Sequence, residues 1–124
     1  MSGMKKKILI IDDEPDVIKI VDFRLKSAGY KVNMASDGRE GIESIKKERP
    51  DLILLDIRMP VMDGYEVCRR IKSDEEFSGI PVIFLTASSG ATIKDKVSEY
   101  MADDYIIKPF DSENLLKKVK NLIG

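Results

Sequence analysis

Short apolar segments of this sequence end in side chains that could bind a cation or an anion. The side chains are Asp12, Asp13, Asp56, Thr86 and Lys108, each at the end of a run of mainly apolar residues. Short apolar runs bounded by turn residues are typical of strands buried in a parallel sheet. Because open α/β sheets bind ligands at the carboxyl ends of their strands, we expect these side chains to meet at one edge.

Three carboxylates at one edge of a sheet would repel each other. Two unit charges about 5 Å apart repel by roughly 3 kcal/mol at an effective dielectric constant near 20. The single ammonium group of Lys108 cannot neutralise three carboxylates, whereas a divalent cation can. Mg²⁺ binds through a few carboxylates, retained waters and phosphate oxygens. These residue types therefore indicate a site for Mg²⁺, or Mn²⁺ in its place, together with a phosphoryl group.

A carboxylate of this site could itself accept the phosphoryl group. The sequence contains no GxxxxGK[ST] or GxGxxG loop, so the phosphoryl group need not arrive on a nucleotide held by such a loop. Carboxylates can act as nucleophiles and form acyl phosphates. Asp56 ends the most central predicted strand and is the best placed. A single strand-end Asp, Thr or Lys more often caps a helix or turn, but the whole set together favours chemistry.

Composition excludes several other functions. The chain has 124 residues, a formal net charge of −1, no histidine and one cysteine, Cys68, for which we predict a core position. This length fits one domain, and the charge predicts no attraction to nucleic acid or an anionic membrane. No apolar run approaches the ~20 residues of a membrane span, and no signal peptide is recognisable. Without histidine, a Ser-His-Asp triad and His-ligated zinc are excluded, and one cysteine cannot build a thiolate metal site.

Five predicted strands alternate with five predicted helices. The strands are Ile8–Ile11, Lys31–Ala35, a run ending at Asp56, Pro81–Leu85 and Tyr105–Ile107. The helices begin near Pro15, Asp37 and Asp63, a fourth carries Ile93, Val97, Tyr100 and Met101, and the last is capped by Asp111 or Ser112. In the first helix the apolar stripe is Val17, Ile20, Val21, Leu25 and Ala28, and Gly29 ends the helix.

This alternation predicts an α/β fold: a single doubly wound (βα)5 flavodoxin-like domain. We expect a five-stranded parallel sheet of order 2-1-3-4-5 with helices on both faces. In that order the first and third strands are neighbours at the switch point, which would place Asp13 beside Asp56.

Four motifs accompany the strand-end residues: Ile11-Asp12-Asp13-Glu14-Pro15, Leu55-Asp56-Ile57-Arg58-Met59-Pro60 with Asp63-Gly64, Leu85-Thr86-Ala87, and Asp103-Asp104-Tyr105 leading to Lys108-Pro109-Phe110. On these motifs the sequence, from about Lys5 to Ile123, resembles the receiver domain of two-component response regulators. One departure is Met101-Ala102 where receivers often carry Gly-Ala, which leaves the end of the fourth helix open.

The resemblance implies that Asp56 accepts a phosphoryl group from a phosphohistidine. Asp13 and Asp56 would coordinate Mg²⁺ with the main-chain carbonyl of Arg58, and Asp12 would act mainly through a metal-bound water. Lys108 would pair with a phosphoryl oxygen, and its peptide bond to the following proline would be cis.

The resemblance also implies a switch. Thr86 would move to hydrogen-bond the phosphoryl group, and Tyr105 would turn inward, remodelling the surface of the fourth helix, fifth strand and fifth helix. On the residues alone, an ordinary aromatic of the fifth strand is the preferred interpretation of Tyr105. Arg58 and Ser88 would flank the site and tune hydrolysis of the acyl phosphate, although solvated surface is the simpler interpretation of both.

We therefore expect residues 1–124 to form one receiver domain without an output domain, working as a cytoplasmic phosphoacceptor that catalyses only its own phosphorylation and dephosphorylation. The expected partners are a histidine kinase or histidine phosphotransfer protein and an unknown downstream protein, with no direct nucleic-acid or membrane contact, and the chain would be a monomer or weak dimer. Because it begins with Met and ends soon after the last helix, a stand-alone protein is favoured over an excised receiver of a longer DNA-binding regulator.

Three other functions stay open. The first is a receiver-fold interaction module that does not depend on phosphorylation. The second is a phosphatase with an aspartyl-phosphate intermediate, against which Asp56-Ile57-Arg58 lacks a second acid at the +2 position. The third is a flavin-binding electron carrier, against which no Ser/Thr-rich loop follows the first strand.

Overall fold

A computed structural model describes residues 5–87 and 91–124 of the chain. The elements in order are β1 (Lys7–Ile11), α1 (Pro15–Ser27), β2 (Lys31–Ala35), α2 (Gly38–Lys47), β3 (Leu52–Asp56), α3 (Gly64–Ser73), β4 (Val82–Thr86), α4 (Ala91–Glu99), β5 (Asp104–Ile107) and α5 (Ser112–Ile123). All strand pairs are parallel and the sheet order is β2-β1-β3-β4-β5, which confirms the predicted fold. Among the described residues, no helix combines the length and apolar character needed to cross a membrane.

The sheet lies between two apolar clusters because successive side chains of a strand point to opposite faces. From β1, Leu9 and Ile11 pack with α2, α3 and α4, whereas Ile8 and Ile10 pack with α1 and α5. Every residue of β3 is buried, so this strand needs a continuous apolar run rather than an alternating one. Cys68 of α3 is buried in the first of these clusters, as predicted.

Within the described residues, aspartates cap the starts of three helices. The side chains of Asp37, Asp63 and Asp111 each accept a hydrogen bond from the backbone N–H three residues later, at 2.8, 2.9 and 2.7 Å, at the starts of α2, α3 and α5. Such bonds satisfy backbone donors that the helix itself leaves free. At α1 the N-cap residue is Glu14, whose side chain makes no capping hydrogen bond.

Two helices end in the same backbone motif with different residues. After α1, Gly29 has φ +97°, and the N–H of Tyr30 donates to the carbonyl of Leu25. After α4, Met101 has φ +60°, and the N–H of Ala102 donates to the carbonyl of Val97. This pattern is the Schellman motif, in which a residue in the left-handed conformation closes the helix and glycine is strongly preferred.

The predicted apolar faces of α1 and α4 were too wide. Ile20 is 57% exposed, because its direction on α1 departs from the one that Val21 and Leu25 bury, and Ala28 at the C-cap is also exposed. Met101 is 70% exposed, since α4 ends at Glu99 and the left-handed turn carries Met101 away from the helix face. The prediction was wrong at these positions because it took every apolar residue near the helical stripe to be buried.

Candidate functional site

The carboxyl ends of four neighbouring strands are aligned at one edge of the sheet. Ile11 of β1 is in register with Leu55, the residue before Asp56 on β3. Thr86 of β4 is in register with Ile107 of β5, the residue before Lys108. The residues that end or follow β1, β3, β4 and β5 therefore reach the same edge, as the apolar runs predicted.

The ammonium group of Lys108 lies at the centre of this edge. Its Nζ is 2.9 Å from an oxygen of Asp12, 2.9 Å from one of Glu14 and 3.3 Å from Oδ1 of Asp56. The side chain of Asp12 is fully buried and that of Asp56 is 7% exposed, whereas that of Glu14 is 59% exposed. The other oxygen of Asp12 accepts the backbone N–H of Glu14 at 2.9 Å, which ties the buried acid to the start of α1.

Burial and charge perturb the pKa values of this group. Desolvation, with the nearby charge of Asp12, raises the pKa of Asp56 from 3.8 to about 6, although Lys108 and a backbone hydrogen bond from Arg58 act in the opposite direction. For Lys108, desolvation lowers the pKa, but hydrogen bonds to Glu14 and Asp12 and the charge of Asp56 outweigh it and raise the pKa above its usual value. Lys108 thus stays charged and still leaves negative charge uncompensated around Asp56.

Four carboxylates are close enough to hold one metal ion. Ligand oxygens of Asp12, Asp13, Glu14 and Asp56 all lie within 4.8 Å of one another. An all-oxygen donor set suits a hard divalent cation such as Mg²⁺ or Ca²⁺. Burial, and after it the charge of Asp12, raises the pKa of Asp56, and a bound cation would offset both effects. The residues present therefore fit a divalent cation.

The predicted switch residues lie near this edge but not in the acidic cluster. Thr86 is 6% exposed and lines an open cleft of about 640 Å³ together with Arg58, Tyr65 and other residues of the neighbouring loops. Tyr105 is half-buried against the cluster that includes α4, and Nζ of Lys118 lies 4.8 Å from its ring centroid. Ser88 lies outside the described residues.

Glu14 is the site residue that reasoning from the sequence did not single out. Its neighbours Asp12 and Asp13 were assigned to the metal, and Glu14 was placed only within the family motif. A usable signal exists, because glutamate is not among the residues preferred at an N-cap. The peptide bond between Lys108 and Pro109 is cis, as the resemblance implied.

Comparisons with known proteins point to one family. The family model described as response regulator receiver domain matches residues 8–120. The chain is 44% identical over 119 residues to the "DNA-binding dual master transcriptional regulator RpaA" of Synechocystis sp., covering 94% of this chain and 48% of that protein. It is 40% identical over 119 residues to the "Probable transcriptional regulator ycf27" of Porphyridium aerugineum, covering 96% and 48%. The chain thus spans about half the length of the curated relatives that it matches.

Solved structures give the same result. The chemotaxis protein CheY4 of Vibrio cholerae superposes with a TM-score of 0.92 at 32% identity, covering 97% of this chain and 100% of that one. The receiver domain of the sensor histidine kinase PA1611 of Pseudomonas aeruginosa, with a magnesium ion coordinated in its active site cleft, has a TM-score of 0.88 at 32% identity, covering 98% and 99%.

Proposed function

Because the chain belongs to the family of response regulator receiver domains, we propose that it is a phosphoacceptor of a two-component or phosphorelay system. The proposal rests on one observation above all. Asp56 is a nearly buried carboxylate at the end of the central strand, 3.3 Å from the ammonium group of Lys108 and within a cluster of acids. Phosphoryl transfer needs alignment and charge neutralisation more than elaborate covalent chemistry. Lys108 and a divalent cation held by the acids would together neutralise the charge.

In the proposed reaction, an oxygen of Asp56 attacks the phosphorus of a phosphohistidine on a partner protein. The new P–O bond forms as the P–N bond breaks. The electron pair of the P–N bond leaves with the imidazole, which takes up a proton. Lys108 is placed to balance charge on the transferred oxygens, because its Nζ already lies beside Oδ1 of Asp56. The chain catalyses only its own phosphorylation and dephosphorylation.

Asp12, Asp13 and Asp56, with the main-chain carbonyl of Arg58, would hold Mg²⁺, for which Mn²⁺ is a possible substitute. The cation supplies positive charge to the phosphoryl oxygens. The acidic cluster supports this assignment, as does the magnesium ion in the cleft of the PA1611 receiver. Asp12 is paired with Lys108 at 2.9 Å, which favours an indirect role through a metal-bound water.

Thr86 and Tyr105 form the proposed switch. Thr86 ends β4 one strand away from Asp56, and Tyr105 pairs in register with Phe84 on that same strand. A hydrogen bond between Thr86 and the phosphoryl group would change the packing next to Tyr105. The affected surface would be that of α4, β5 and α5, where a downstream protein would bind.

The proposed partners are a histidine kinase or histidine phosphotransfer protein as donor and a further protein as target. We place residues 1–124 in one receiver domain, in the cytoplasm, as a monomer or weak dimer. Since the formal net charge is −1, these residues are not expected to bind DNA themselves.

The proposal is tested by incubating the protein with acetyl phosphate and Mg²⁺ and measuring its intact mass. We expect a gain of one phosphoryl group, which Asp56→Ala or EDTA abolishes. Asp95→Ala, at an exposed position on α4, is the matched control and should be phosphorylated like the wild type. If the wild type gains no mass, the alternative of an interaction module independent of phosphorylation is favoured. If Asp56→Ala still gains mass, another residue is the acceptor.

A further inference from the structure

Glu14 departs from the capping pattern seen at the N-caps of α2, α3 and α5. Asp37, Asp63 and Asp111 turn their carboxylates back onto the first turn of their helices. Glu14 occupies the same position at α1, but its carboxylate makes no capping hydrogen bond and lies 2.9 Å from Nζ of Lys108. Departures from local preference tend to occur at functional sites, and this one brings an exposed acid to the central cation.

The donors of Lys108 are fully used in the resting domain. An ammonium group has three N–H donors, and Nζ of Lys108 contacts three carboxylates, those of Asp12, Glu14 and Asp56. The contact with the phosphoacceptor, at 3.3 Å, is the longest of the three. A phosphoryl group that approaches Asp56 can gain a hydrogen bond from Lys108 before transfer only if one of these three acids gives up its own bond. The side chain of Asp56 is only 7% exposed, so losing the ammonium group before transfer would leave its charge poorly solvated.

Burial decides which acid releases the donor. The side chain of Asp12 is fully buried, so water cannot replace the ammonium group there and loss of the pair would leave a buried charge uncompensated. The side chain of Glu14 is 59% exposed, so water can take over its hydrogen bonds. Building on the proposed function, we propose that Glu14 is a positioning residue: it holds one donor of Lys108 in the resting domain and yields it to the incoming phosphoryl group.

Two substitutions separate this role from a simple effect of charge. Glu14→Gln removes the charge and weakens the pair with Lys108. Glu14→Asp keeps the charge, but the shorter side chain matches the N-caps of α2, α3 and α5 and should turn to the free N–H groups of α1. Both variants should therefore release Lys108. Asp16→Asn, which removes an exposed acid from the first turn of α1, is the matched control for loss of charge.

The first measurement uses the domain without phosphoryl donor or added metal. The ¹⁵Nζ chemical shift of Lys108, assigned with Lys108→Arg, should move in both Glu14 variants and stay unchanged in Asp16→Asn. The second measurement is the rate of phosphorylation against acetyl phosphate concentration. Because both Glu14 variants lose the partly exposed ion pair with Lys108, we expect them to reach half-maximal rate at an acetyl phosphate concentration about two- to fivefold lower than the wild type.

The possible outcomes separate three explanations. If Glu14→Gln differs from the wild type but Glu14→Asp does not, Glu14 acts through its charge and the inference is wrong. If neither variant shifts the Lys108 signal or the donor dependence while the wild type is phosphorylated, this inference fails alone. If the wild type takes up no phosphoryl group, the proposed function fails and the inference fails with it.

Discussion

Replacing Asp56 by Asn should stabilise the domain at neutral pH in the absence of divalent cations. Burial and the charge of Asp12 raise the pKa of Asp56 from 3.8 to about 6, so the folded state disfavours the carboxylate. A shift of about two pKa units corresponds to about 3 kcal/mol. Asparagine has a similar shape without the charge, and Lys108 keeps its contacts with Asp12 and Glu14. We therefore expect unfolding at pH 7 to cost up to about 3 kcal/mol more in the variant.

The pH dependence fixes the sign of this effect. Between pH 4 and 6 the folded protein binds more protons at Asp56 than the unfolded chain, because its pKa is higher in the folded state. The contribution of Asp56 to stability therefore falls as the pH rises through this range, and it is constant above it. The advantage of Asp56→Asn should shrink to about 1 kcal/mol at pH 4.5, where the wild-type carboxyl is mostly protonated when folded.

Urea unfolding in EDTA at pH 7 and pH 4.5 measures both differences. Mg²⁺ added at pH 7 should stabilise the wild type more than the variant, since a ligand that binds only the folded state raises its stability and Asp56 is one of the proposed ligands. An advantage of Asp56→Asn that is absent at pH 7, or equal at the two pH values, would refute the electrostatic account of this site. Equal stabilisation of both proteins by Mg²⁺ would remove Asp56 from the metal site.

Three further substitutions test other parts of the structure. Thr86→Ala should still accept a phosphoryl group but bind the downstream partner more weakly when phosphorylated; equal binding in a pull-down assay would contradict the switch. Gly64→Ala should cost about 1–3 kcal/mol in urea unfolding, because a Cβ there would collide with the backbone oxygen of Asp56, whereas Gly79→Ala, where a Cβ meets nothing within 4 Å, should cost little. Met101→Gly should stabilise the domain by about 1 kcal/mol by relieving the left-handed backbone; Met101→Ala, which keeps that strain, should show no such gain.

The sequence predicted the sheet and its site edge because both depend on local patterns. Each apolar run is short, and each ends in a turn, so strand ends could be placed within a residue or two. A parallel sheet then brings Asp12, Asp56 and Lys108 together without any knowledge of side-chain packing. The pair of Glu14 with Lys108 joins residues 94 positions apart and depends on a side chain that leaves its usual capping role. A glutamate at an N-cap is a local signal that the side chain has another role, but no local pattern identifies Lys108 as its partner.

The positions where this chain departs from local preference have different causes. At the carboxyl edge of the sheet, the charge of Asp56 lowers stability and the side chain of Glu14 makes no capping hydrogen bond. Both charges lie where the proposed phosphoryl transfer would take place. Val61, with φ +68° and a fully exposed side chain, lies in the loop after Asp56 that also carries Arg58. Met101 precedes β5 and so lies at the opposite, amino edge of the sheet. Because Met101 lies at the edge opposite the site, relieving its backbone strain should raise stability and leave the rate of phosphorylation unchanged. Removing the charge at Asp56 should raise stability only at the expense of the proposed acceptor.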